Sequence, residues 1–412
     1  MNPRNLGLIS IFGLIMIGPL LLFTCQGVLN LKLPSWLTSE DAALLEGNRD
    51  KTQITEVLSI KDIIEGKFQS ALEQEITGYI PARASAIVEN AKIQRSFIST
   101  SNMLFQWDCY PTFFSSERIY IPAFNAVSYI PSKILQSLKP NWSLFASGIK
   151  SVAEYYPNKH FVLYVVQGYG ETSWNPAYEL ISYPFSTSLC QETMSEVLKD
   201  TENVSILTKA YYDGEEFYDN FFTTDHHWNI RGAWNACDQI CTELEIKPPR
   251  QSSYKEIESL KYTGATARYG LDLIEETIFD STNTFDTLNM ETSNGTVINC
   301  SDHNSFWKLP PLRQRYTFYD SYYDAIGEGT ITGGIGNQTG LLIGNSFKGA
   351  IQRPLALAFK SLITRADLHP SRDIEETLQE LIESSNVDDI IFVANPGNYN
   401  IDQAFFNLSF SH

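Results

Sequence analysis

Two stretches of the sequence carry side chains whose types and spacing suit acid–base or nucleophilic chemistry. The first, TTDHHWNIRGAW at residues 223–234, places an aspartate two residues before a histidine, with a second histidine between them. The second, GLLIGNSFKGA at residues 340–350, leads from an apolar segment into a serine. A serine hydroxyl becomes a nucleophile when a histidine accepts its proton and an acid orients that histidine. Together the two stretches supply a serine, two histidines and an aspartate.

The serine, Ser346, follows an apolar segment that predicts a strand, and a helix is predicted from about Phe347. Open α/β sheets bind ligands at the carboxyl ends of their strands, and the start of a helix offers free backbone N–H groups. Such groups can hold the oxyanion of a tetrahedral intermediate. The segment is not the G-x-S-x-G turn of α/β-hydrolases, because Lys348 stands where the second glycine would be. Taken alone, it favours a serine that only caps a helix.

Asp225 and His227 lie in a predicted loop before a helix that starts near Ile230, with Asn229 as its N-cap. Their spacing lets the carboxylate reach Nδ1 of the imidazole and leaves Nε2 free for a serine. A plain surface loop is one alternative, and metal binding is another, since Asp and His are common metal ligands. We expect no metal here, because the side chains of the adjacent His226 and His227 should diverge.

Asn395 ends the apolar segment DIIFVAN, residues 389–395, which predicts another strand. A side-chain amide at that point could donate a second hydrogen bond to an oxyanion. The alternative is a turn residue without a chemical role, because Asn-Pro commonly starts a turn. The residues themselves leave both interpretations open.

The rest of the chain alternates short apolar segments with amphipathic ones, and this pattern predicts an α/β fold. Because the apolar segments are continuous, we expect a parallel sheet that is covered by helices on both faces. The segment at about 250–335 is rich in Thr, Asn, Gly and aromatic residues and predicts irregular loops and short strands. Pro354 is expected to kink or break the helix after Ser346. The predicted strands are 161–166, 204–208, 341–346, 361–364 and 389–395, and the predicted helices lie around 144–153, from about 230, from about 347 and around 374–382.

The composition bounds the class of protein. With 412 residues, 43% of them hydrophobic and 19% charged, the chain is long and apolar enough for one large globular domain or two smaller ones. A net charge of −18 argues against nucleic acid or anionic lipid as a partner. No Cys-x-x-Cys pair supports a zinc site, although Cys237 and Cys241 should be neighbours on a helix.

The N-terminus predicts a membrane anchor. Between Arg4 and Lys32 lies LGLISIFGLIMIGPLLLF, which is uncharged and long enough to span about 30 Å of hydrocarbon. No A-x-A-like cleavage site follows it, so residues 1–31 are predicted to be an uncleaved anchor or signal, with the main domain outside. Residues 32–100 are predicted to form a stalk and an N-terminal helical region, and residues 101–412 the main domain.

These stretches together resemble the DHHW family, which is related to the alginate O-acetyltransferase-like proteins of the SGNH hydrolase superfamily. Residues 225–228 match the DHHW signature, and GLLIGNSFKGAI resembles the block that carries the nucleophile. GYIPARASAIVENAKI at 78–93 and YYPNKHFVLYVV at 155–166 resemble earlier segments of the family, so the resemblance covers roughly residues 65–400. The sequence departs from the family at Asn345, where an aspartate is usual.

The resemblance implies a three-layer α/β/α SGNH-hydrolase-like domain with an irregular insertion at about 250–335. It implies Ser346 as nucleophile, His227 as base and Asp225 as acid, with no metal and no other cofactor. The backbone N–H of Ser346 and the side chain of Asn395 would hold the oxyanion. His226 belongs to the signature but is given no catalytic step. The acid and the histidine precede the serine in the chain. This is the reverse of the usual SGNH order, and it is the order that this subfamily has.

The resemblance further implies an O-acetyltransferase, fixed to the cell membrane by a single pass with its main domain extracytoplasmic. It would acetylate a surface or secreted polysaccharide through an acyl-serine, with the acetyl donor supplied by a multi-pass membrane acyltransferase. Two alternatives stay open. One is a carbohydrate acetylesterase with the same triad. The other is a non-catalytic polysaccharide-binding or assembly protein, which the 13% aromatic content and the change at Asn345 would suit.

Overall fold

The structure is a computed structural model in which the chain forms two compact units. The first unit consists of residues 1–110 and 267–273, and the second of residues 111–266 and 274–412. The predicted anchor and most of the stalk and N-terminal helical region lie outside the described residues. Within the described part, no helix is both long and apolar enough to cross a bilayer. The backbone is described for residues 132–167, 187–249, 253–269, 275–282, 285–323, 327–368 and 376–408, with shorter pieces between 59 and 120.

Helices and strands alternate along most of the described chain. The described strands are β1 (Phe113–Phe114), β2 (Ile119–Tyr120), β3 (His160–Val165), β4 (Val204–Leu207), β5 (Tyr254–Tyr262), β6 (Glu276–Ser281), β7 (Asn289–Thr292), β8 (Val297–Asn299), β9 (Gly329–Thr332), β10 (Thr339–Gly344), β11 (Ser361–Arg365) and β12 (Asp389–Ala394). The described helices are α1 (Ile60–Ile64) in the first unit, then α2 (Ser132–Tyr155), α3 (Thr187–Leu198), α4 (Gly214–Asn220), α5 (Ile230–Glu243), α6 (Ala265–Tyr269), α7 (Asn304–Trp307), α8 (Pro311–Tyr316), α9 (Lys348–Ala358) and α10 (Leu378–Ser385). Tyr319–Tyr323 forms a π-helical turn, and Pro396–Asn398 and Gln403–Phe406 form 3-10 turns.

The centre of the second unit is an eight-stranded sheet in the order β4-β3-β12-β10-β11-β9-β7-β8. The five strands from β4 to β11 run parallel, as the continuous apolar segments predict. β9, β7 and β8 continue the sheet in antiparallel pairing, so the sheet is mixed rather than wholly parallel. β7 and β8 are joined by a tight turn, which is all that an antiparallel pair needs. The segment at 250–335 contains the short strands that its composition predicts, and its described strands pair in antiparallel ladders.

Hydrophobic side chains pack on both faces of this sheet. Along β3, Val162 and Tyr164 contribute to one core, and Phe161, Leu163 and Val165 contribute to the other. Helices α5 and α9 cover the first face, and α2, α3 and α10 cover the second. The second unit thus has three layers, α/β/α. Because β3, β12 and β10 are parallel neighbours, their carboxyl ends reach the same edge of the sheet.

The predicted elements agree with the structure at most places. Each of the five predicted strands ends within two residues of an observed one. The helix after Ser346 does not break at Pro354 but runs from Lys348 to Ala358. Nearly every side chain of this helix is buried, so packing outweighs a local cost of about 3 kcal/mol for the proline. The helix expected around 374–382 begins at Leu378, behind a capping box.

Helix α5 begins directly after Asn229, which is its N-cap as predicted. The Asn229 side chain accepts hydrogen bonds from the N–H groups of Arg231 and Gly232 at 2.8 and 3.3 Å. Its amide donates to the carbonyls of Asp219 and Phe221 at 3.0 and 3.2 Å. One side chain therefore joins the first turn of the helix to the chain on the far side of the preceding loop.

Asn229→Ala should lower the free energy of unfolding by about 1–2 kcal/mol, because the cap satisfies N–H groups of the helix start and carbonyls across the loop. Asn229→Asp keeps the acceptor oxygen and should recover about half of that loss. Urea denaturation followed by circular dichroism measures both changes. An alanine variant as stable as the wild type would contradict this role.

Candidate active site

Ser346, His227 and Asp225, which the sequence predicts as nucleophile, base and acid, lie in one chain of hydrogen bonds. His227 Nε2 lies 2.7 Å from Ser346 Oγ, and His227 Nδ1 lies 2.7 Å from Asp225 Oδ1. An ionised carboxylate can only accept, so Nδ1 carries the donated proton and Nε2 is left to accept from the serine hydroxyl. Asp225 and His227 are buried, whereas Ser346 is partly exposed. A substrate can therefore reach the hydroxyl while the acid is shielded from water.

The loop that carries Asp225 and His227 is closed by its own backbone. Phe221 and Trp228 form an isolated β-bridge, and the Phe222 N–H donates to the His227 carbonyl at 3.1 Å. Inside the loop, the His227 N–H donates to Asp225 Oδ1 at 3.1 Å. Aspartate commonly accepts from the backbone N–H two residues further on. The Asp-x-His spacing thus favours this arrangement locally.

Asp225 is held at both carboxylate oxygens. Oδ2 accepts from the Tyr262 hydroxyl at 2.6 Å and from the Ala265 N–H at 2.7 Å. Burial acts to raise the pKa of the Asp225 carboxyl, but His227, His226 and Tyr262 outweigh it, and the pKa lies well below its ordinary value. The ionised form therefore stabilises the fold above the ordinary carboxyl pKa, and this contribution is lost as the pH falls below that range.

Gly264 leaves room for this carboxylate. A Cβ atom at position 264 would lie 2.4 Å from Asp225 Cβ and 2.7 Å from Asp225 Oδ2. The Gly264 N–H donates to Thr224 Oγ1 at 2.8 Å. Two successive backbone N–H groups, at 264 and 265, thus contact the loop, and no side chain fits between them and the acid.

A second carboxylate, Glu276, fixes the two residues before Asp225. Glu276 Oε2 accepts from the N–H and the hydroxyl of Thr223 at 2.9 and 2.7 Å. Glu276 Oε1 accepts from the N–H of Thr224 at 2.8 Å and from its hydroxyl. Burial raises the pKa of the Glu276 carboxyl more than these four hydrogen bonds lower it, so the pKa lies above its ordinary value. Glu276 is also the cross-strand partner of Tyr262 in the β5–β6 pair, so one pair of strands supplies both contacts.

Asn345 stabilises the turn that presents Ser346. Its side-chain oxygen accepts from the Phe347 N–H at 3.1 Å, and its amide donates to Asn398 Oδ1 at 3.0 Å. An aspartate, which the DHHW family usually carries here, could make the first bond but could not donate the second. Asn345, which stands where the family usually has aspartate, therefore has an acceptor for its amide group in Asn398, in the turn after β12.

Two aromatic side chains hold the carbonyls beside the serine. The Tyr319 hydroxyl donates to the Ser346 carbonyl at 2.9 Å, and Trp228 Nε1 donates to the Phe347 carbonyl at 3.0 Å. The Tyr319 ring also stacks on the His227 imidazole, with centroids 3.8 Å apart and planes 8° from parallel. The histidine loop and the serine turn are thus joined at several points besides the Ser346–His227 bond.

The groups expected to hold an oxyanion lie at the same edge of the sheet. Gly344 and Val393 are paired in neighbouring strands, and Ser346 and Asn395 each come two residues later. Among the described residues, no hydrogen bond is made by the Ser346 N–H. The Asn395 Oδ1 is buried and also has no partner in the described part of the chain. The Ser346 N–H is therefore available to a bound oxyanion. The unpaired Asn395 Oδ1 is an acceptor, so only the Nδ2 group of that side chain could donate to an oxyanion.

His226 lies beside His227 rather than away from it, so the expected divergence of the two side chains is wrong. The two ring centroids are 3.9 Å apart, and His226 Nδ1 lies 3.3 Å from Asp225 Oδ1, because the loop is tightly closed. One ligand atom from each of Asp225, His226 and His227 falls within 4.8 Å, as a metal site requires. An ion on His227 Nδ1 would replace the 2.7 Å bond to Asp225, and an ion on Nε2 would replace the 2.7 Å contact with Ser346 Oγ. The arrangement suits acid–base work better than metal binding.

Sequence reasoning did not find Tyr262, Glu276 and Tyr319. All three come from the segment that was expected to be irregular, and none stands in a recognisable motif. Tyr262 is 37 residues from Asp225, and Glu276 is 52 residues from Thr224. Local periodicity carries no information about such pairings. The aromatic richness of the segment is the one signal visible in the sequence, and it does not indicate which residues contact the site.

The chain is similar to several solved structures. A DHHW family protein from Eubacterium siraeum is 16% identical, with a TM-score of 0.48 over 65% of this chain and 88% of that one. PatB1 of Bacillus cereus, solved with a sulfonyl adduct, is 18% identical, with a TM-score of 0.47 over 72% of this chain and all of that one. The O-acetyltransferase domain of AlgJ from Pseudomonas putida is 10% identical, with a TM-score of 0.36 over 70% and 91%. No protein-family model and no curated protein matches the chain.

A DHHW family protein is thus among the similar structures, as the motif at 225–228 predicts. Identities of 10–18% and TM-scores below 0.5 do not identify an activity for this chain. The contacts around Ser346 are what support one.

Glu276→Gln should lower the free energy of unfolding by about 1–3 kcal/mol, because one carboxylate oxygen becomes an NH2 group that faces two donors. The matched control is Glu275→Gln. The Glu275 side chain is 46% exposed and pairs with Arg315 at 2.6 Å, so its loss should cost less than about 1 kcal/mol. Urea denaturation of both variants gives the comparison. Equal losses would show that Glu276 has no special part in holding the loop.

Proposed function

We propose that the protein is a serine acyltransferase that moves an acetyl group through Ser346 to a hydroxyl of a polysaccharide. The observation that supports the chemistry is the chain of 2.7 Å hydrogen bonds from Ser346 Oγ through His227 to Asp225. A serine, a histidine and a buried acid in this order form the triad that activates a hydroxyl for acyl transfer. The resemblance of the sequence motifs to the DHHW family supports a polysaccharide as the acceptor.

In the first half-reaction, Ser346 Oγ attacks the carbonyl carbon of an acetyl ester while His227 Nε2 takes the hydroxyl proton. Asp225 orients the imidazole and stabilises its positive charge. The Ser346 N–H and the Asn395 side chain stabilise the oxyanion of the tetrahedral intermediate. When the intermediate collapses, the bond to the donor oxygen breaks, the donor alcohol takes the proton from His227, and acetyl-Ser346 remains.

In the second half-reaction, an acceptor hydroxyl gives its proton to His227 Nε2 and attacks the acetyl carbon. The bond to Ser346 Oγ then breaks, the serine regains the proton, and the acceptor leaves as its acetyl ester. Each proton passes through the same nitrogen, so the proposed mechanism includes no cofactor. The same oxyanion groups serve both halves, because the acetyl oxygen occupies the same place in each intermediate.

The place of the reaction is part of the proposal. The anchor at residues 1–31 would hold the main domain at the outer face of the membrane, within reach of a multi-pass acyltransferase that delivers the acetyl group. The uncharged stretch between Arg4 and Lys32 supports this location. The net charge of −18 gives no support to nucleic acid as a partner.

Hydrolysis is the second candidate, because the triad would serve water as well as a sugar hydroxyl in the second half-reaction. The third candidate is a non-catalytic binding protein, and its support at the site was the change from aspartate to Asn345 as a sign of lost activity. Asn345 instead makes two hydrogen bonds that stabilise the serine turn, so this support is lost. Acyl transfer is therefore favoured over binding alone.

Incubation with p-nitrophenyl acetate should place one acetyl group on the wild-type protein, detected as an adduct in the intact mass. Ser346→Ala should show no adduct, and p-nitrophenol release should fall more than about 1000-fold, because the nucleophile is gone. The control is Ser147→Ala, which removes an exposed serine on α2 and should behave as the wild type. Neither adduct nor release above the Ser346→Ala level would overturn the proposed chemistry.

Acetyl transfer and hydrolysis are separated by adding an oligosaccharide acceptor to the acetylated protein. A transferase should lose its acetyl adduct faster as the acceptor concentration rises, and the acetylated sugar should appear in equal amount by mass spectrometry. The reason is that a bound hydroxyl outcompetes water for the acyl-serine. Loss of the adduct at a rate independent of every acceptor tried, with free acetate as the product, would favour the esterase.

A further inference from the structure

Tyr319 makes two contacts with the proposed catalytic residues at once. Its ring lies parallel to the imidazole of His227, with centroids 3.8 Å apart and planes at 8°. Its hydroxyl donates to the Ser346 carbonyl at 2.9 Å. The other rings near His227, those of His226 and Phe347, are inclined by 37° and 58° and lie 3.9 and 5.1 Å away. The parallel contact with Tyr319 therefore covers one face of the base.

The backbone at Tyr319 has an unusual conformation. Residues 319–323 form a π-helical turn, a rare geometry that frequently occurs at functional sites. Tyr319 is 1% exposed and packs edge-on against Phe222 and Tyr323. The ring thus has little freedom to move. A face-on ring that cannot move opposes rotation of the imidazole about its Cβ–Cγ bond, because that rotation would tilt the imidazole into the Tyr319 ring.

This contact matters because, apart from the Nε2 contact with Ser346 Oγ itself, the imidazole is hydrogen-bonded to the described residues only through Nδ1. The Asp225 bond fixes Nδ1, but a ring pinned at one atom can still swing Nε2 out of line with Ser346 Oγ. The parallel Tyr319 ring opposes that movement. The hydroxyl of the same side chain holds the backbone of Ser346, the residue whose Oγ the Nε2 atom must contact. The rigid Tyr319 side chain therefore fixes the position of His227 relative to Ser346.

We infer that Tyr319 is a positioning residue for acyl transfer, which keeps His227 Nε2 aligned with Ser346 Oγ through its ring and fixes the serine turn through its hydroxyl. The inference rests on the proposed function of Ser346 and His227. Tyr319 itself takes no proton in the reaction, because its hydroxyl is directed to a main-chain carbonyl.

The test compares Tyr319→Phe, which keeps the ring, with Tyr319→Leu, which removes it. The same turn offers a matched control. Tyr322 stacks on His303 with centroids 3.7 Å apart and planes at 12°, and its hydroxyl donates to Asp280 Oδ2 at 2.7 Å. Tyr322→Phe and Tyr322→Leu therefore make the same changes to a stacked tyrosine and histidine away from Ser346.

Steady-state acetylation by p-nitrophenyl acetate is measured for all four variants of the full chain. Tyr319→Leu should lower kcat about 100-fold with KM within about twofold, as expected for a misaligned base. Tyr319→Phe should lower kcat only about fivefold, because it loses one hydrogen bond and keeps the stack. The Tyr322 variants should keep the wild-type kcat once corrected for the folded fraction. Unchanged kcat in Tyr319→Leu, or equal losses in the Phe and Leu variants, would overturn the role of the ring.

A spectroscopic readout separates this inference from the proposed function. The Hε1 and Hδ2 protons of His227, assigned with His227→Gln in protein carrying labelled histidine, should be shifted upfield by the stacked ring. Tyr319→Phe should keep the shift and Tyr319→Leu should lose it. Loss of the shift with full acetylation would overturn the positioning role and leave the proposed function standing. A wild-type protein with the shift but without any Ser346-dependent acetylation would overturn the proposed function, and the inference with it.

Discussion

The buried carboxylate of Asp225 is the constraint on which the rest of the site depends. An ionised carboxylate away from water is costly unless other donors replace its hydration. Here the ring and backbone of His227, the Tyr262 hydroxyl and the Ala265 N–H replace it. These donors fix the carboxylate, and the carboxylate fixes which nitrogen of His227 carries the proton. The orientation of the base thus depends on Tyr262 and Ala265, which hold the acid, as well as on Tyr319 beside Ser346.

The residues between 253 and 323 supply most of those groups. The β5–β6 pair places Tyr262 and Glu276 opposite each other, so that one holds the acid and the other holds the two threonines before it. The π-helical turn supplies Tyr319. Strands β7, β8 and β9 attach the segment to the edge of the central sheet. The segment whose composition predicts irregular loops and short strands therefore supplies several of the contacts that hold the candidate site.

The sequence predicts the parts of the molecule whose cause is local. Continuous apolar segments give the parallel strands, Asn229 gives the start of α5, and the Asp-x-His spacing gives the loop around Asp225. The site residues that were missed depend on pairings between distant strands, which periodicity does not encode. The antiparallel end of the sheet is not located by the sequence, because β7 and β9 each contain a single large apolar residue and β8 has only three residues. The side-by-side placement of His226 and His227 follows from closure of the loop, which the two residues alone do not reveal.

The order of the central strands has a consequence for how the protein comes to be made. β12 lies between β3 and β10, although it is the last of the three in the chain. Until β12 has been synthesised and inserted, the two halves of the sheet are not joined, and the turn with Ser346 has no fixed place relative to β3. We therefore expect the His227–Ser346 contact, which spans 119 residues, to be fixed in its final geometry only after that closing step. A nascent chain therefore contains Ser346 before His227 is placed to activate it.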